Sequence, residues 1–393
     1  MAFSVLNRRP DSGLGNVRSS PGDPSRNVDW LLLLAQAALV VIGCLTVYSA
    51  SRTKITGGSD VPFGYLFATR QVVFVIFAAV AMLFVMSLDY AWLRERAKFL
   101  YGLTLVALVL LFLLGKVSGG ARLSFDVGPI NFQPAEIAKV TVLLALAAFL
   151  SEENTDSVSY ERFVGALWIG GVPTVLIILQ PDLGSSSVMV ALMMGLLLVA
   201  GARAKYIAMI TFLALSTVGA AVVSGLVDNY QLRRIEAWLN PGSTEDALQQ
   251  YIFQGENALR ATALGGLTGN GWLNGELTNT KGDIPVQWAD FPFSAIGEQF
   301  GLLGCIAVLS LFALALFRIW RIAHLSKDVL GTYICAGVFT MLLWQVFQSV
   351  AMTLGLMPIT GLPMPFISYG GSGTVAFFLM FGMVQSVHMR RMR

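Results

Sequence analysis

The sequence predicts an all-α membrane protein with ten transmembrane helices and a large extracytoplasmic loop between helices seven and eight. Hydrophobic residues make up 55% of its 393 residues and charged residues only 12%, about half the charged share of a soluble globular protein. Ten apolar runs approach or exceed the roughly 20 residues that a helix needs to cross a bilayer. A more polar stretch, 227–292, separates the seventh run from the eighth.

The apolar runs begin just after residues 1–27, which are polar and rich in Pro, Ser, Gly and Arg, as is typical of a disordered tail. The predicted spans are 29–50, 66–88, 98–115, 134–151, 163–180, 185–201, 205–226, 293–317, 329–354 and 374–389. Residues 28–393 are thus expected to form a single membrane domain.

The distribution of Lys and Arg predicts the orientation, because these residues concentrate in cytoplasmic loops. The larger share of the 26 Lys and Arg residues falls inside if the N-terminus is cytoplasmic. Both termini are therefore expected in the cytoplasm, and 227–292 outside.

Cysteine and histidine usage limits the chemistry. All three cysteines lie in apolar runs, and both histidines lie in segments assigned to the cytoplasm. This pattern provides neither a disulfide framework nor the ligand spacing of a metal site, and no metal-binding residues are predicted. The small net charge of +3 gives no reason to expect a nucleic acid as partner.

The outer loop contains a predicted amphipathic helix over 245–262, where Leu248, Tyr251, Ile252 and Leu259 recur at near-helical spacing. It lies either on the membrane surface or against the outer helix ends. The glycine-rich run 265–271 follows and suits either a turn or a phosphate cradle, because glycine permits positive φ and close backbone approach.

Two acidic residues mark the entry to the eighth span. Asp290 is either an N-cap, favoured at helix starts with Pro292 in the first turn, or an outer-face general base. The predicted outer face carries no histidine to serve instead. Glu298 lies about two turns further, where a carboxylate is costly and usually functional; its alternative role is helix packing.

Four further groups of residues lie near the same face. Glu136 and Lys139 share one helical face and either fasten helices together or line a cavity that opens outward. Arg122 follows two glycines and can meet a phosphate, and Asp182 is placed to cap the sixth helix. The Gly- and Pro-rich segment 361–372, which includes Ser368, is irregular backbone that a membrane tolerates only where protein or a cavity covers it.

Four motifs in this order carry a family resemblance: QPAEIAK (133–139), QPDLGSS (180–186), WADFPFSAIGEQFGLLG (288–304) and PFISYGGSG (365–373). Together they resemble the signature of the SEDS family, the RodA and FtsW proteins, over the whole membrane region. The resemblance implies a peptidoglycan glycosyltransferase that polymerises lipid II at the outer face of the bacterial cytoplasmic membrane, for elongation or division. It further implies a class B penicillin-binding protein as the cross-linking partner. Weak features favour a RodA-like role.

The resemblance also assigns residues. Asp290 matches the catalytic aspartate, although Ala289 and Pro292 depart from the family pattern, and Glu136 and Lys139 match its Glu–Lys pair. The region 240–262 matches poorly. Substrate or pyrophosphate contacts are expected from Glu136, Lys139, Arg122, Arg70, Arg233 or the adjacent Arg234, Glu298 and Ser368. No cofactor is identified, although Mg²⁺ or Mn²⁺ would suit a pyrophosphate leaving group.

Two other functions remain open from the residues. A flippase for a lipid-linked precursor needs a polar path across the whole membrane, whereas Glu136, Lys139 and Glu298 cluster in the outer half. A non-enzymatic scaffold predicts that Asp290 is replaceable while the helix faces are not.

Overall fold

The computed structural model describes residues 27–52, 63–118, 121–127, 130–152, 157–223, 229–279 and 284–392. The predicted tail 1–27 therefore lies outside the described residues, apart from Asn27. In chain order the elements are α1 (Trp30–Ser51), α2 (Phe63–Ser87), α3 (Tyr90–Leu114), β1 (Lys116–Ser118), β2 (Ala121–Val127), β3 (Ile130–Phe132), α4 (Pro134–Leu150), α5 (Tyr160–Leu179), α6 (Leu183–Val199), α7 (Ala204–Val223), α8 (Asn229–Leu239), α9 (Asp246–Leu264), α10 (Glu276–Asn279), α11 (Gln287–Asp290), α12 (Pro292–His324), α13 (Val329–Thr353) and α14 (Gly371–Met389).

A helix occupies each of the ten predicted apolar runs. Seven of the described helices, namely α1, α2, α3, α5, α12, α13 and α14, are long and apolar enough to cross a membrane. Helices α6 and α7 contribute shorter apolar stretches, and the 17-residue α4 carries Glu136 and Lys139. Helix α3 begins eight residues before the predicted run, because Asp89 caps it by accepting a hydrogen bond from the Ala91 amide.

The connection between α3 and α4 departs from the all-α prediction. Strands β1, β2 and β3 form a three-stranded antiparallel sheet in that order. Residues 121–127 alternate apolar and polar types at Leu123, Phe125 and Val127, which is the period of a strand rather than of a helix. That alternation is the signal that an analysis based on long apolar runs overlooks.

The core of the bundle is built around α4, α13 and α14. Helix α4 contacts α3, α5, α6, α13 and α14, and most of its side chains are buried. By contrast, α3 exposes large apolar side chains, with Phe99 71% and Leu113 72% exposed. Side chains of that kind on an outer face suit contact with lipid.

The segment between α7 and α12 is folded rather than extended. Helix α9 is the amphipathic helix predicted over 245–262, and it packs against α8, α12 and α13. The structure therefore supports packing on the protein over a position on the membrane surface. Leu248 and Ile252 are buried in that contact, whereas Leu259 is 45% exposed.

The glycine-rich run after α9 packs backbone to backbone against the start of α12. The Asn270 and Gly271 amides donate to the Glu298 and Gln299 carbonyls, both at 3.0 Å. A Cβ at Gly265 would overlap the Gly297 carbonyl oxygen. Gly301, at φ 64°, interrupts α12 at this contact, so residues 292–300 form a short helix that continues into a long one. Residues 265–268 form a turn, so of the two alternatives the structure supports the turn.

The opposite end of the bundle is fastened by a buried ion pair. Asp29 precedes α1 and accepts hydrogen bonds from Arg318 Nε of α12 at 3.1 and 3.0 Å, and from the Leu32 amide at 3.0 Å. Gln385 of α14 donates to the Asp29 carbonyl and accepts from its amide. One aspartate thus joins three helices.

Candidate functional site

Two cavities meet at the end of the bundle where α4 and α12 begin. The small cavity has a volume of about 310 Å³ and the large one about 1080 Å³. The residues lining both are Gln133, Glu136, Asp290, Gly361 and Pro363. Two carboxylates therefore stand at the junction, contributed by segments far apart in the sequence.

Asp290 ends α11 instead of capping α12, so the N-cap alternative is wrong. Phe291 is the N-cap residue of α12, without a side-chain hydrogen bond, and Pro292 opens the first turn. Among the described residues no hydrogen bond engages the Asp290 carboxylate, which is only partly exposed. A carboxylate that neither caps a helix nor forms a hydrogen bond is available for chemistry in the cavities.

Two opposing influences set the charge state of Asp290. Removal from water raises its pKa to about 6, and the positive charge of Arg234 acts in the opposite direction. Burial disfavours the charged form of a carboxylate, whereas a nearby cation favours it. A base with a pKa near the working pH is well suited to general-base catalysis.

The predicted Glu136–Lys139 pair forms within α4. Lys139 Nζ lies 2.6 Å from Glu136 Oε1, and both side chains are almost fully buried. Glu136 Oε2 is buried without a hydrogen-bond partner in the described part of the chain. The ion pair lies within one helix and fastens no second one, whereas Glu136 lines both cavities, so of the two alternatives the structure supports the one in which this pair borders a cavity.

The segment 361–373 forms the wall between the cavities. Gly361 adopts φ 70°, and a Cβ there would stand 4.0 Å from each Asp290 carboxylate oxygen and 3.5 Å from the Arg234 guanidinium. Ser368 lines the small cavity, and its hydroxyl accepts from the Met364 amide at 2.7 Å. Gln71 of α2 donates to the Ser368 carbonyl and accepts from the Gly370 amide. The irregular backbone is therefore covered by protein and lines a cavity, as predicted.

The large cavity is a long apolar groove. Its lining follows α6 from Leu183 to Leu198, about 23 Å at the helical rise of 1.5 Å per residue. Side chains of α5, α7 and α13 complete it, among them Leu167, Ile210 and Leu343. A groove of this length and polarity suits an extended hydrocarbon chain.

The predicted cationic residues separate into three groups. Arg70 lines the small cavity, where its positive charge acts on the Tyr369 hydroxyl. Arg233 is exposed on α8 and lines neither cavity; its neighbour Arg234 lines the large one, because the helix turns the two side chains to different sides. Arg122 lies on β2, and its side chain is outside the described part of the structure.

Glu298 does not reach either cavity. Its side chain is fully buried, and its two oxygens accept hydrogen bonds from the Leu277 amide at 2.7 Å and from the Thr278 amide at 2.9 Å and hydroxyl at 2.5 Å. The helix-packing alternative fits this position better than substrate binding, since the carboxylate anchors α10 to α12. Asp182 caps α6 through the Ser185 amide at 2.9 Å, as predicted.

Sequence reasoning overlooked Gln133 and Gln345. Gln133 sits before α4 and lines both cavities, and Gln345 of α13 lines the small one. Gln345 stands inside an apolar run, and a polar side chain within a span needs a partner. A glutamine within that apolar run was the available signal.

Comparisons with known proteins place the chain in a family. The family described as "Cell cycle protein" (FTSW_RODA_SPOVE) matches residues 29–393. The stage V sporulation protein E of Bacillus subtilis is 35% identical over 91% of this chain and 96% of its own length. The peptidoglycan glycosyltransferase MrdB of Escherichia coli is 30% identical over 93% of this chain and 94% of its own.

Solved structures show the same architecture. The crystal structure of the Rod shape determining protein RodA of Thermus thermophilus matches with a TM-score of 0.67 and 25% identity, over 93% of this chain and 98% of that one. A chain from a structure titled "Structural coordination of polymerization and crosslinking by a peptidoglycan synthase complex" matches with a TM-score of 0.74 and 26% identity, over 93% and 98% of the two chains. The protein is therefore a multi-pass bacterial membrane protein that belongs to the FtsW, RodA and SpoVE family, known as SEDS.

Proposed function

We propose that the protein is a peptidoglycan glycosyltransferase that polymerises lipid II into glycan strands at the outer face of the cytoplasmic membrane. The observation that carries this proposal is the Asp290 carboxylate, which stands without a hydrogen bond among the described residues where a small cavity lined in part by charged and polar side chains meets a long apolar groove. Lipid-linked sugars have the same two parts, a polar head and a hydrocarbon tail. The names of the relatives support the same activity.

The proposed topology places the junction outside. Ten helices, α1–α7 and α12–α14, cross the membrane, both termini are cytoplasmic, and α8–α11 form the outer loop. The distribution of Lys and Arg supports this orientation. In this arrangement the apolar groove lies within the bilayer, and Asp290 lies at its outer edge.

The reaction proposed for this geometry is a single displacement. The 4-hydroxyl oxygen of the incoming N-acetylglucosamine forms a bond to the donor anomeric carbon, and the bond from that carbon to the undecaprenyl pyrophosphate breaks. Asp290 accepts the hydroxyl proton, which is worth about 10²–10⁴-fold in rate. Arg234 and Arg70, one in each cavity, are placed to offset the negative charge that builds on the pyrophosphate.

A divalent cation is compatible with the junction. Among the described residues no three His, Cys, Asp or Glu side chains gather to hold a metal, but Mg²⁺ often binds through one or two carboxylates together with substrate phosphates. Glu136 Oε2 provides such an oxygen beside Asp290. When bound, a cation there would neutralise part of the pyrophosphate charge.

The partner proposed for the chain is a class B penicillin-binding protein that cross-links the strands. The support is the structural likeness to a chain from a complex whose title couples polymerization with crosslinking. Elongation and division are both compatible with this partner class.

The test compares the wild type with Asp290→Asn on labelled lipid II, with and without a partner whose own transglycosylase is inactive. The wild type should form long strands, and the variant should lose about 10²–10⁴-fold in rate. Asp246→Asn is the matched control, because Asp246 is exposed in the first turn of α9, away from both cavities.

Each alternative gives a different result. Normal polymerisation by Asp290→Asn contradicts the catalytic role of Asp290. If the wild type forms no strands even with its partner but moves lipid II across vesicles, it is a flippase. If it does neither, yet retains its partner, it is a scaffold.

A further inference from the structure

Gln345 is a buried amide within an apolar helix. It lies about two turns before the end of α13 at Thr353, is only 1% exposed, and lines the small cavity. The family resemblance assigns it no role.

The orientation of the Gln345 amide is fixed by its neighbour. Its Nε2 donates to the Pro363 carbonyl oxygen at 2.8 Å. Because a carbonyl oxygen can only accept, the nitrogen must face Pro363, and Oε1 is the atom that remains. That oxygen is buried with no hydrogen-bond donor in the described part of the chain, which costs free energy unless a ligand supplies the donor.

Other glutamines in the bundle do not combine these features. Gln348, one turn further along α13, donates to Thr360 Oγ1 at 3.1 Å and accepts from Ser187 Oγ at 2.8 Å. Gln36 and Gln180 also have unpartnered atoms, but they line neither cavity. Gln345 thus brings an open acceptor to the cavity wall.

The surroundings of Gln345 indicate the chemistry of the missing donor. Glu136 Oε2, a second unpartnered acceptor, and the Asp290 carboxylate line the same cavity. A phosphate has only acceptor and negatively charged oxygens, so it cannot satisfy these three acceptors, and Arg70 is the group on this lining that can meet a phosphate. A sugar with hydroxyl and acetamido N–H groups fits the acceptors well, since each group donates a hydrogen bond.

We propose that Gln345 is a specificity-determining residue whose side-chain oxygen accepts a hydrogen bond from a sugar hydroxyl or an acetamido N–H of the substrate in the small cavity. This inference rests on the proposed polymerase function. It assigns the sugar to the small cavity and leaves the large groove for the hydrocarbon chain.

The test measures discrimination between lipid II and analogues that each lack one donor. One analogue is deoxygenated at the 6-position of N-acetylglucosamine, and others carry an N-methylated acetamido group on either sugar. The wild type should prefer lipid II over one of them by about 3- to 10-fold in kcat/KM, the effect of a single hydrogen bond. The analogue that shows the preference identifies the donor.

Gln345→Met is the decisive variant, because Met is similar in volume and unbranched but forms no comparable hydrogen bond. It should use lipid II and that analogue equally well. Gln71→Met is the control: Gln71 fastens the same segment at Ser368 and Gly370, lines neither cavity, and should leave the discrimination intact.

Two results would overturn the inference. One is a wild type that uses every analogue as well as lipid II, a measurement that does not depend on whether Gln345→Met folds. The other is a folded Gln345→Met that retains the wild-type preference. A wild type that forms no strands from lipid II itself contradicts the proposed function instead, so the two failures are distinguishable.

Discussion

Two buried ion pairs at opposite ends of the bundle differ in how many of their carboxylate oxygens have a hydrogen-bond partner. Asp29 at one end has both oxygens engaged by Arg318 and one also by the Leu32 amide, and it lines neither cavity. Glu136 at the other end gives one oxygen to Lys139 and keeps the other without a partner among the described residues. The first pair joins α1 to α12, whereas the second lies within α4.

The difference shows why burial alone does not identify a functional charge. Taking a carboxylate out of water is costly, and a complete set of partners offsets that cost. Glu298 is a further carboxylate with both oxygens hydrogen-bonded, because the amides of Leu277 and Thr278 donate to them. Glu136 retains an uncompensated oxygen beside a cavity, which is the arrangement expected of a group that meets a ligand.

The largest expected effect separates the two pairs directly. Glu136→Gln should lower polymerisation per folded molecule by about 10²-fold, the size of one lost electrostatic contact, and should also lower the free energy of unfolding, because it leaves the buried Lys139 without its counter-charge. Asp29→Asn should lower only the free energy of unfolding, by about 3 kcal/mol, because it leaves the partly buried Arg318 without its counter-charge. Turnover per folded molecule and thermal unfolding in detergent measure the two effects. Equal loss of turnover in both variants would remove the distinction.

An intermediate effect is expected at Glu298. Glu298→Gln replaces one accepting oxygen by a donating NH₂ group that faces an amide N–H, so it should cost about 1–3 kcal/mol of stability. Turnover per folded molecule should stay near the wild-type value. A variant of normal stability that has lost turnover would show that Glu298 acts in the reaction after all.

The smallest effect is a shift of the pH profile. Asp290 must be deprotonated to act as a base, so the rate should rise with pH through about 6 and then level off. Arg234 lowers the pKa of Asp290, so Arg234→Gln should move the midpoint to higher pH. Initial rates from pH 5 to 8, corrected for unfolding, test this prediction. A midpoint that stays in place or moves down contradicts it.

Much of the helical framework could be predicted from the sequence, because long apolar runs leave few alternatives to a spanning helix. The position of Asp290 beside Glu136 could not, since α4 and α12 are separated by more than a hundred residues and only packing brings their ends together. The family resemblance identified both Asp290 and Glu136 as site residues, which spacing alone does not.

The differences between the expected and observed positions of other residues have local physical causes. Arg233 and Arg234 cannot be told apart without the phase of α8, which turns only one of them toward the groove. Glu298 was expected at a substrate because a carboxylate in an apolar run signals function; the loop that satisfies it folds back from residues 277 and 278. The open acceptor of Gln345 depends on the position of the Pro363 carbonyl, which no spacing rule supplies.

Gly361 and Pro363 line both cavities together with Asp290 and Glu136, so the two cavities share one edge. For inhibitor design, a compound that joins a sugar mimic to a lipid-like tail across this edge would occupy both compartments. Its second half would bind at the high effective concentration that linkage provides.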